Sequence, residues 1–402
     1  MPWLSVIGIG EDGLDGLGRP ARARIEAAEL LVGGARHLAL VGTHQAERLS
    51  WDSPIAATLA ALRGHSGRKV VVLASGDPMW FGIGVTIAAN FAAHEYEILP
   101  APSAFALAAA RLGWPLQQTA CISLHGRPLA RLVRHLAPGA RILALSTDAG
   151  TPTAVAELLV REGYGPSRMS VLEHLGGAAE HHASAPAHAW PSLRGADLNL
   201  VAIECALRDP ALARSRAPGL PDSAFQHDGQ LTKQPIRAAT LAALAPLDGA
   251  LLWDVGAGSG AISIEWCRAA RRARAIAIER DAERAQRIRL NADALGVPEL
   301  DIIEGRAPKA LEGLEAPAAI FIGGGIAAPG LFEQCWDALM PGGVLVANSV
   351  TIAGEAILLG WHERLGGDLA RLAVSRAEPL GGQLGWRALA PVTQLACRKT
   401  AR

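Results

Sequence analysis

The sequence predicts an α/β protein of two fused domains, each built on parallel strands with helices between them. Three observations carry this. At 402 residues the chain exceeds what one hydrophobic core ordinarily serves, so two or three domains are expected from length alone. Short apolar, strand-like runs alternate with alanine-rich helical patterns along most of the chain. A strand running into a glycine-rich turn occurs at residues 4–13 and again at 251–260, and each is a natural opening for an α/β domain.

Composition supports compact domains and narrows the partners. Apolar residues make up 50% and charged residues 19%, a balance that favours buried cores over disorder. Lysine plus arginine equals aspartate plus glutamate at 38 each, so no global field draws nucleic acid or an anionic membrane, and neither is expected as a partner. An anionic ligand must meet local cations. Cys121, Cys205, Cys267, Cys335 and Cys397 are widely spaced and odd in number, which argues against a disulfide framework or a metal site and for a reducing, cytoplasmic setting. The start, Met1-Pro2-Trp3-Leu4-Ser5, lacks the basic region and apolar stretch of a signal peptide. No apolar run reaches the roughly 18 residues of a membrane span.

In the first half, strands are expected at residues 70–73, 97–99, 141–145 and 199–204, with a helical pattern at 103–112. The alternation suggests parallel pairing. His181, His182 and His188 lie in an alanine- and proline-rich stretch without other ligands at useful spacing, and a solvated loop is expected there. Residues 206–222 contain three prolines and no strand-like run, so they read as a linker between domains at 1–205 and 223–402. In the second half, strands expected at 251–255, 275–279, 300–304, 319–322 and 343–346 describe a doubly wound sheet. Trp114, Trp253, Trp266, Trp336 and Trp361 are expected in cores or ring stacks.

The first candidate site is Asp254-Val255-Gly256-Ala257-Gly258-Ser259-Gly260. Alternate glycines at a strand-to-helix junction let a ligand lie against backbone. About 20 residues on, the next strand ends in Glu279, where a ribose diol is usually gripped. Asp254 places a second acid beside the loop. An acid-first glycine loop suits the sulfonium and ammonium groups of S-adenosylmethionine better than a pyrophosphate. The alternatives are a nicotinamide cofactor, or a turn needed only for helix packing. Further on, Glu304-Gly305-Arg306-Ala307-Pro308 and Phe321-Ile322-Gly323-Gly324-Gly325 follow two later strands. The first, through Arg306 and Ala307, is placed to flank adenine, and the second, through Gly324, to leave room for a bulky acceptor; an ordinary turn explains either as well.

In the first half, Gly8-Ile9-Gly10-Glu11-Asp12-Gly13 satisfies a dinucleotide-binding spacing. Its two internal acids would repel a pyrophosphate, and no acid-ended strand follows at the expected distance, so a dinucleotide reading is rejected. More telling is Ser75-Gly76-Asp77-Pro78, followed by Phe81-Gly82-Ile83-Gly84. Exposed backbone and one carboxylate again suit a small zwitterion with a positive centre. A tight turn closing a βα unit is the alternative.

Two resemblances then cover almost the whole chain. Asp228 to Arg237, DVGAGSG, AIER, EGRAP, FIGGG, the run from Pro341 through Asn348 to Thr351, and Pro391 to Gln394 resemble, in that order, the precorrin decarboxylating methyltransferases that act on carbon 15. This family has the class I Rossmann-like fold, and the resemblance implies that Thr232 and the glycine loop contact S-adenosylmethionine, with Glu279 on its ribose. The first half carries Gly33 to His37, the Gly76-Asp77-Pro78 loop, Pro100 to Pro115, Ser123 to Pro128 and Leu145 to Pro152. This set resembles the tetrapyrrole methylase (class III) family, specifically its carbon-5 member of the cobalamin pathway. That implies two α/β subdomains with the cofactor between them. Gly76, Asp77, Pro78, Ser103 and Ala104 would lie at the cofactor, and the loop at Gly10 would face the tetrapyrrole. Glu11 stands where this family often has proline.

Together the resemblances imply two S-adenosylmethionine sites and a small tetrapyrrole substrate. Methyl groups would go to carbons 5 and 15 of precorrin-6Y, with decarboxylation of the ring-C acetate, giving precorrin-8X in cobalamin biosynthesis. Tetrapyrrole carboxylates need spaced cations against apolar walls. Arg36, His37, His125, Arg127, Lys233, Arg237 and Arg306 are the candidates. Methyl transfer to an electron-rich carbon depends on alignment more than on acid or base help, so the lack of a triad or paired-carboxylate signature is in keeping, and no general acid is assigned. A homo-oligomer is expected. Rival readings are an RNA methyltransferase, a nicotinamide oxidoreductase, and a pair in which one domain only presents the tetrapyrrole to the other.

Overall fold

A computed structural model describes residues 2–51, 55–191 and 194–400. The chain divides into two compact units, Met1–Leu129 with His135–Ala213 and Ala130–Arg134 with Arg214–Arg402. Among the described residues no helix is long and apolar enough to cross a membrane.

The first unit contains two sheets. One is wholly parallel: β1 (Leu4–Ile9), β2 (Leu30–Gly33), β3 (Glu47–Ser50), β4 (Val70–Ser75) and β5 (Tyr96–Leu99), in the order β3-β2-β4-β1-β5. Alternate residues of its central strands enter different cores, with Ile7, Ile9, Val71 and Leu73 on one face and Leu4, Val6, Val70 and Val72 on the other. Burial on both faces is why these strands read as continuous apolar runs. Gly8 pairs with Ala74 and Ile9 with Ser75, so the loops after β1 and β4 leave the same sheet edge side by side.

The other sheet contains β6 (Thr119–Ser123), β7 (Arg141–Leu145), β8 (Arg168–Glu173), β9 (His181–Pro186) and β10 (Asn199–Glu204), ordered β6-β7-β10-β8-β9. Here the expectation of parallel pairing is corrected. Only β6 and β7 run parallel, and β10 is antiparallel to both β7 and β8. The segment 174–180 holds no crossover helix, so β9 returns antiparallel beside β8. The loop expected around His181 and His182 is therefore an edge strand. Its side chains are almost all exposed, so it shows no apolar alternation, and its order comes from the backbone ladder.

The second unit is a doubly wound sheet. Its strands are β11 (Leu251–Val255), β12 (Arg274–Glu279), β13 (Asp301–Glu304), β14 (Ala319–Ile322), β15 (Val344–Ser349) and β16 (Asp368–Leu372), then the hairpin β17 (Ser375–Leu380) and β18 (Gln383–Ala388), and β19 (Val392–Arg398). The order is β13-β12-β11-β14-β15-β19-β16, with β17 and β18 paired separately. β11 through β15 are parallel, and β19 is antiparallel to both neighbours. Leu252, Ala277, Phe321 and Val346 enter one core layer, and Trp253, Ile278, Ile320 and Leu345 the other. Strand order reverses between β11 and β14, the switch point where such sheets open a crevice at their carboxyl edge.

Residues 219–222, expected as linker, are fastened into this unit. Gly219 and Leu220 donate backbone N–H groups to the Glu265 carboxylate at 2.5 and 3.1 Å. Asp222 accepts from Arg237 at 3.1 Å.

Candidate active site

At the carboxyl edge of the second sheet, β11 ends in Val255 and the chain turns through Gly256 and Gly258, both with positive φ. A Cβ on Gly256 would come within 2.9 Å of the Gly324 backbone nitrogen, and one on Gly258 within 3.3 Å of the Gln230 carbonyl. The loop is thus threaded between two other backbone segments and admits no side chain at its first turn. Glu279 closes β12. Its carboxylate accepts the Gly258 N–H at 2.8 Å and the Asp281 N–H at 3.1 Å, which leaves part of its acceptor capacity free.

A cavity of about 760 Å³ opens here, within the range that holds a cofactor and part of a large ligand. Eight of the residues expected in the second half line it: Thr232, Lys233, Gly256, Gly258, Glu279, Arg306, Ala307 and Gly324. Gln230, Asn348 and Ser349 also line it, and sequence reasoning did not single them out.

Three expectations are corrected. Arg237, read as a cation for the tetrapyrrole, has no exposed surface. Its guanidinium donates to Glu265 at 2.6 Å, to Asp222 at 3.1 Å, to the Thr232 carbonyl at 2.5 Å and to the Leu220 carbonyl, so its donors serve the fold. Gly260, read as a cofactor contact, is outside the cavity wall. It has positive φ at the start of the helix Ala261–Ala269, and a Cβ would strike the Ile288 side chain at 2.7 Å. Asp254 also lies behind the wall. One of its oxygens accepts from the Ser263 backbone and hydroxyl at 3.1 and 2.5 Å, and the other is buried with no hydrogen-bond partner among the described residues. Burial pushes its carboxyl up to about 6, with the nearby Glu279 charge acting in the same direction and the Ser263 hydrogen bonds opposing.

In the first unit the loops after β1 and β4 meet the entrance of the helix Ala104–Leu112. A Cβ on Gly8 would overlap the Gly76 carbonyl, and one on Gly76 would lie 2.9 Å from the Ser103 Cα, so these glycines permit backbone to touch backbone. Ser103 caps the helix through Ala106 N–H at 3.2 Å, and Ala104 is its first residue. Asp77 accepts from Met79 N–H at 2.9 Å, and Gly82 and Gly84 pack on Pro78. Trp80 and Phe81 pair with the Phe105 ring at 5.5 and 5.9 Å, and the Arg127 guanidinium lies 5.1 Å from the Phe81 ring centre. Gly10 opens the turn after β1, with its carbonyl accepting Gly13 N–H at 3.1 Å. His125 is exposed in the turn after β6.

The same edge holds a polar cluster. Arg36 pairs with Glu11 and donates to Ser75 Oγ at 2.9 Å; His37 Nε2 is 2.8 Å from that hydroxyl, and His174 Nδ1 is 3.1 Å from Glu11. Burial, with Arg36 adding to it, pushes His37 down to about 4. The expectation of His37 as a cation is corrected to an uncharged polar contact. Burial alone would raise the Glu11 carboxyl, but His174 and Arg36 outweigh it and hold the group below the ordinary carboxylate value. Ser75 stood in the Gly76-Asp77-Pro78 segment without a role of its own, and His174 carried no local sequence signal.

The switch-point cavity, the positive-φ glycine turn in its wall and the strand-end carboxylate fit a nucleoside-bearing ligand such as S-adenosylmethionine. Together with two family matches, they place the chain among the S-adenosylmethionine-dependent methyltransferases. Residues 4–189 match the family described as Tetrapyrrole (Corrin/Porphyrin) Methylases, and residues 223–399 the Precorrin methyltransferase domain. The chain is 50% identical over 399 residues to the precorrin-6Y C(5,15)-methyltransferase [decarboxylating] of Sinorhizobium sp, covering 99% of this chain and 97% of that one. It is 45% identical over 402 residues to the protein of the same name from Mycobacterium tuberculosis (strain ATCC 25618 / H37Rv), covering 98% and 100%. The crystal structure of the C-terminal domain of precorrin-6Y C5,15-methyltransferase from Rhodobacter capsulatus covers 46% of this chain and 100% of its own at 48% identity and a TM-score of 0.44. The chain belongs to the family of decarboxylating precorrin-6Y C(5,15)-methyltransferases.

Proposed function

We propose that this chain methylates precorrin-6Y at carbons 5 and 15 and decarboxylates the ring-C acetate, giving precorrin-8X. Residues 1–205 serve carbon 5, residues 223–402 together with the fastened stretch 219–222 serve carbon 15 and the decarboxylation, and 206–218 join them. Each half has its own S-adenosylmethionine site. The observation that carries the reading is the second unit's cavity, where Glu279 and the glycine loop at Gly256 and Gly258 lie at one sheet edge with Lys233 and Arg306 in the same wall. Two different methyltransferase families matching separate stretches support two sites.

S-adenosylmethionine, when bound, supplies a methyl group on a positively charged sulfur. The chain's residues align and enclose. Gly256 and Gly258 leave two positions of the loop without a side chain, Glu279 accepts from a ribose diol, and Arg306 and Ala307 flank the base. Thr232 lies on the donor side. Gly324 leaves room for the acceptor, and Lys233 meets a tetrapyrrole carboxylate. Ile236, Ile262 and Val392 in the wall exclude water, which strengthens these electrostatic contacts and orients the in-line displacement. In the first unit, Gly76, Asp77, Pro78, Ser103 and Ala104 form the donor side, and Gly10, Arg36, His37, His125 and Arg127 the tetrapyrrole side.

A homo-oligomer in a reducing cytoplasm belongs to the same reading; the five cysteines are free. Incubation with precorrin-6Y and S-adenosylmethionine, followed by mass spectrometry, tests the function. Two added methyl groups and one lost carbon dioxide are expected, and a product with only one of these changes would overturn it.

A further inference from the structure

Strand order splits the second unit's cavity. The ends of β11, β12 and β13 carry the glycine loop, Glu279 and Arg306, while β14 and β15 end on the other side of the switch point. We infer that Asn348, on β15, is the neutral polar contact for the ring-C acetate on that second side, oriented from behind by Thr240 and Gln394. The inference rests on reading this cavity as the site of carbon-15 methylation and decarboxylation.

Asn348 lines the cavity and stands directly opposite Gln394 in the β15–β19 ladder. Its amide nitrogen donates to Thr240 Oγ1 at 2.9 Å. Thr240, on the helix Gln234–Leu244, is wholly buried and gives its one hydroxyl proton to the Ile236 carbonyl at 2.8 Å. Its oxygen can therefore only accept from its other neighbours, and both facing amides must turn their NH₂ groups toward it. Gln394, 7% exposed, uses both N–H bonds, one to Thr240 at 3.1 Å and one to Asn348 Oδ1 at 2.9 Å. The Asn348 amide is locked in one orientation and keeps one N–H and one oxygen lone pair for a ligand.

The absence of charge in this triad matters for the chemistry. A cation would stabilise the acetate carboxylate in the ground state and so oppose its loss. A single neutral donor orients the group with less of that stabilisation. In the step itself, the bond between the acetate methylene and its carboxylate breaks, and the electron pair passes into the conjugated ring. Carbon dioxide departs, and a solvent proton then converts the methylene to a methyl group. Thr240 and Gln394 touch no substrate in this account and are positioning residues.

The test uses the full chain with precorrin-6Y and S-adenosylmethionine, follows both mass changes, and measures S-adenosylhomocysteine binding. Asn348→Ala and Thr240→Val are expected to slow carbon dioxide loss by about tenfold or more. Binding of S-adenosylhomocysteine should keep its affinity and stoichiometry, which also reports that the second unit is folded. Thr240→Ser, which retains the accepting oxygen, is expected to recover the rate to within about twofold. Unchanged carbon dioxide loss in both disruptive variants, or a fall in S-adenosylhomocysteine affinity that accounts for their defect, would overturn the assignment alone. Failure of the unaltered chain to release carbon dioxide would overturn the underlying reading as well.

Discussion

Arg237 Nε lies 2.6 Å from a carboxylate oxygen of Glu265, and neither side chain reaches solvent. Through the Leu220 and Thr232 carbonyls and Asp222, this pair ties the entry of the second unit to the wall that carries Thr232 and Lys233. Removing one partner strands a buried charge, which costs about 3–5 kcal/mol. Arg237→Met is therefore expected to lower the second unit's unfolding transition in guanidinium by that amount. Arg237→Lys should not restore it, because an ammonium cannot reproduce the forked set of bonds.

Glu279 has two duties, since it holds the Gly258 and Asp281 N–H groups and faces the cavity. Glu279→Gln replaces a charged acceptor with an amide that presents one oxygen. Loss of a charge-assisted contact of about 2 kcal/mol corresponds to roughly thirtyfold weaker S-adenosylhomocysteine binding at this site by calorimetry.

Asp254 gives a pH signature. Its carboxyl is raised from 3.8 to about 6 by burial, reinforced by the Glu279 charge. A group harder to ionise folded than unfolded imposes no penalty while protonated in both states. The penalty grows between these two values and is complete above the higher one. Stability of the unaltered chain relative to Asp254→Asn is therefore expected to fall between about pH 4 and pH 6, by on the order of 3 kcal/mol. Parallel stability curves for the two proteins would contradict this.

Glu11 occupies Arg36 and bridges to His174 across the two subdomains of the first unit. A tetrapyrrole carboxylate that uses Arg36 must compete with it. Glu11→Gln is expected to lower the KM for the tetrapyrrole by several-fold while changing stability by less than about 1 kcal/mol, since the pair is partly exposed. Initial-rate measurements of single methyl addition report the first effect and thermal unfolding the second.

What was legible in the sequence follows from how each element is buried. β11 to β14 end in, or run directly into, glycine or an acid, so apolar runs with fixed punctuation announced them and six residues of the cavity, whereas Thr232 came with the family resemblance and Lys233 as a candidate cation. β9 and the β17–β18 hairpin are held by backbone ladders with exposed side chains, including Leu380, Leu384 and Trp386, and they left no periodic signal. Residue type alone misplaced Arg237, because its partner lies 28 positions away on another helix. Asn348 and Gln394 sat in view within their segments, but their bond spans 46 positions and exists only once β19 folds back antiparallel on β15.

Calorimetric titration of the full chain with S-adenosylhomocysteine counts its cofactor sites. Two binding events per chain are expected, with one lost in Gly256→Val, whose Cβ would press on the Gly324 backbone. A stoichiometry of one in the unaltered chain, or two events surviving in the variant, would contradict the two-site reading.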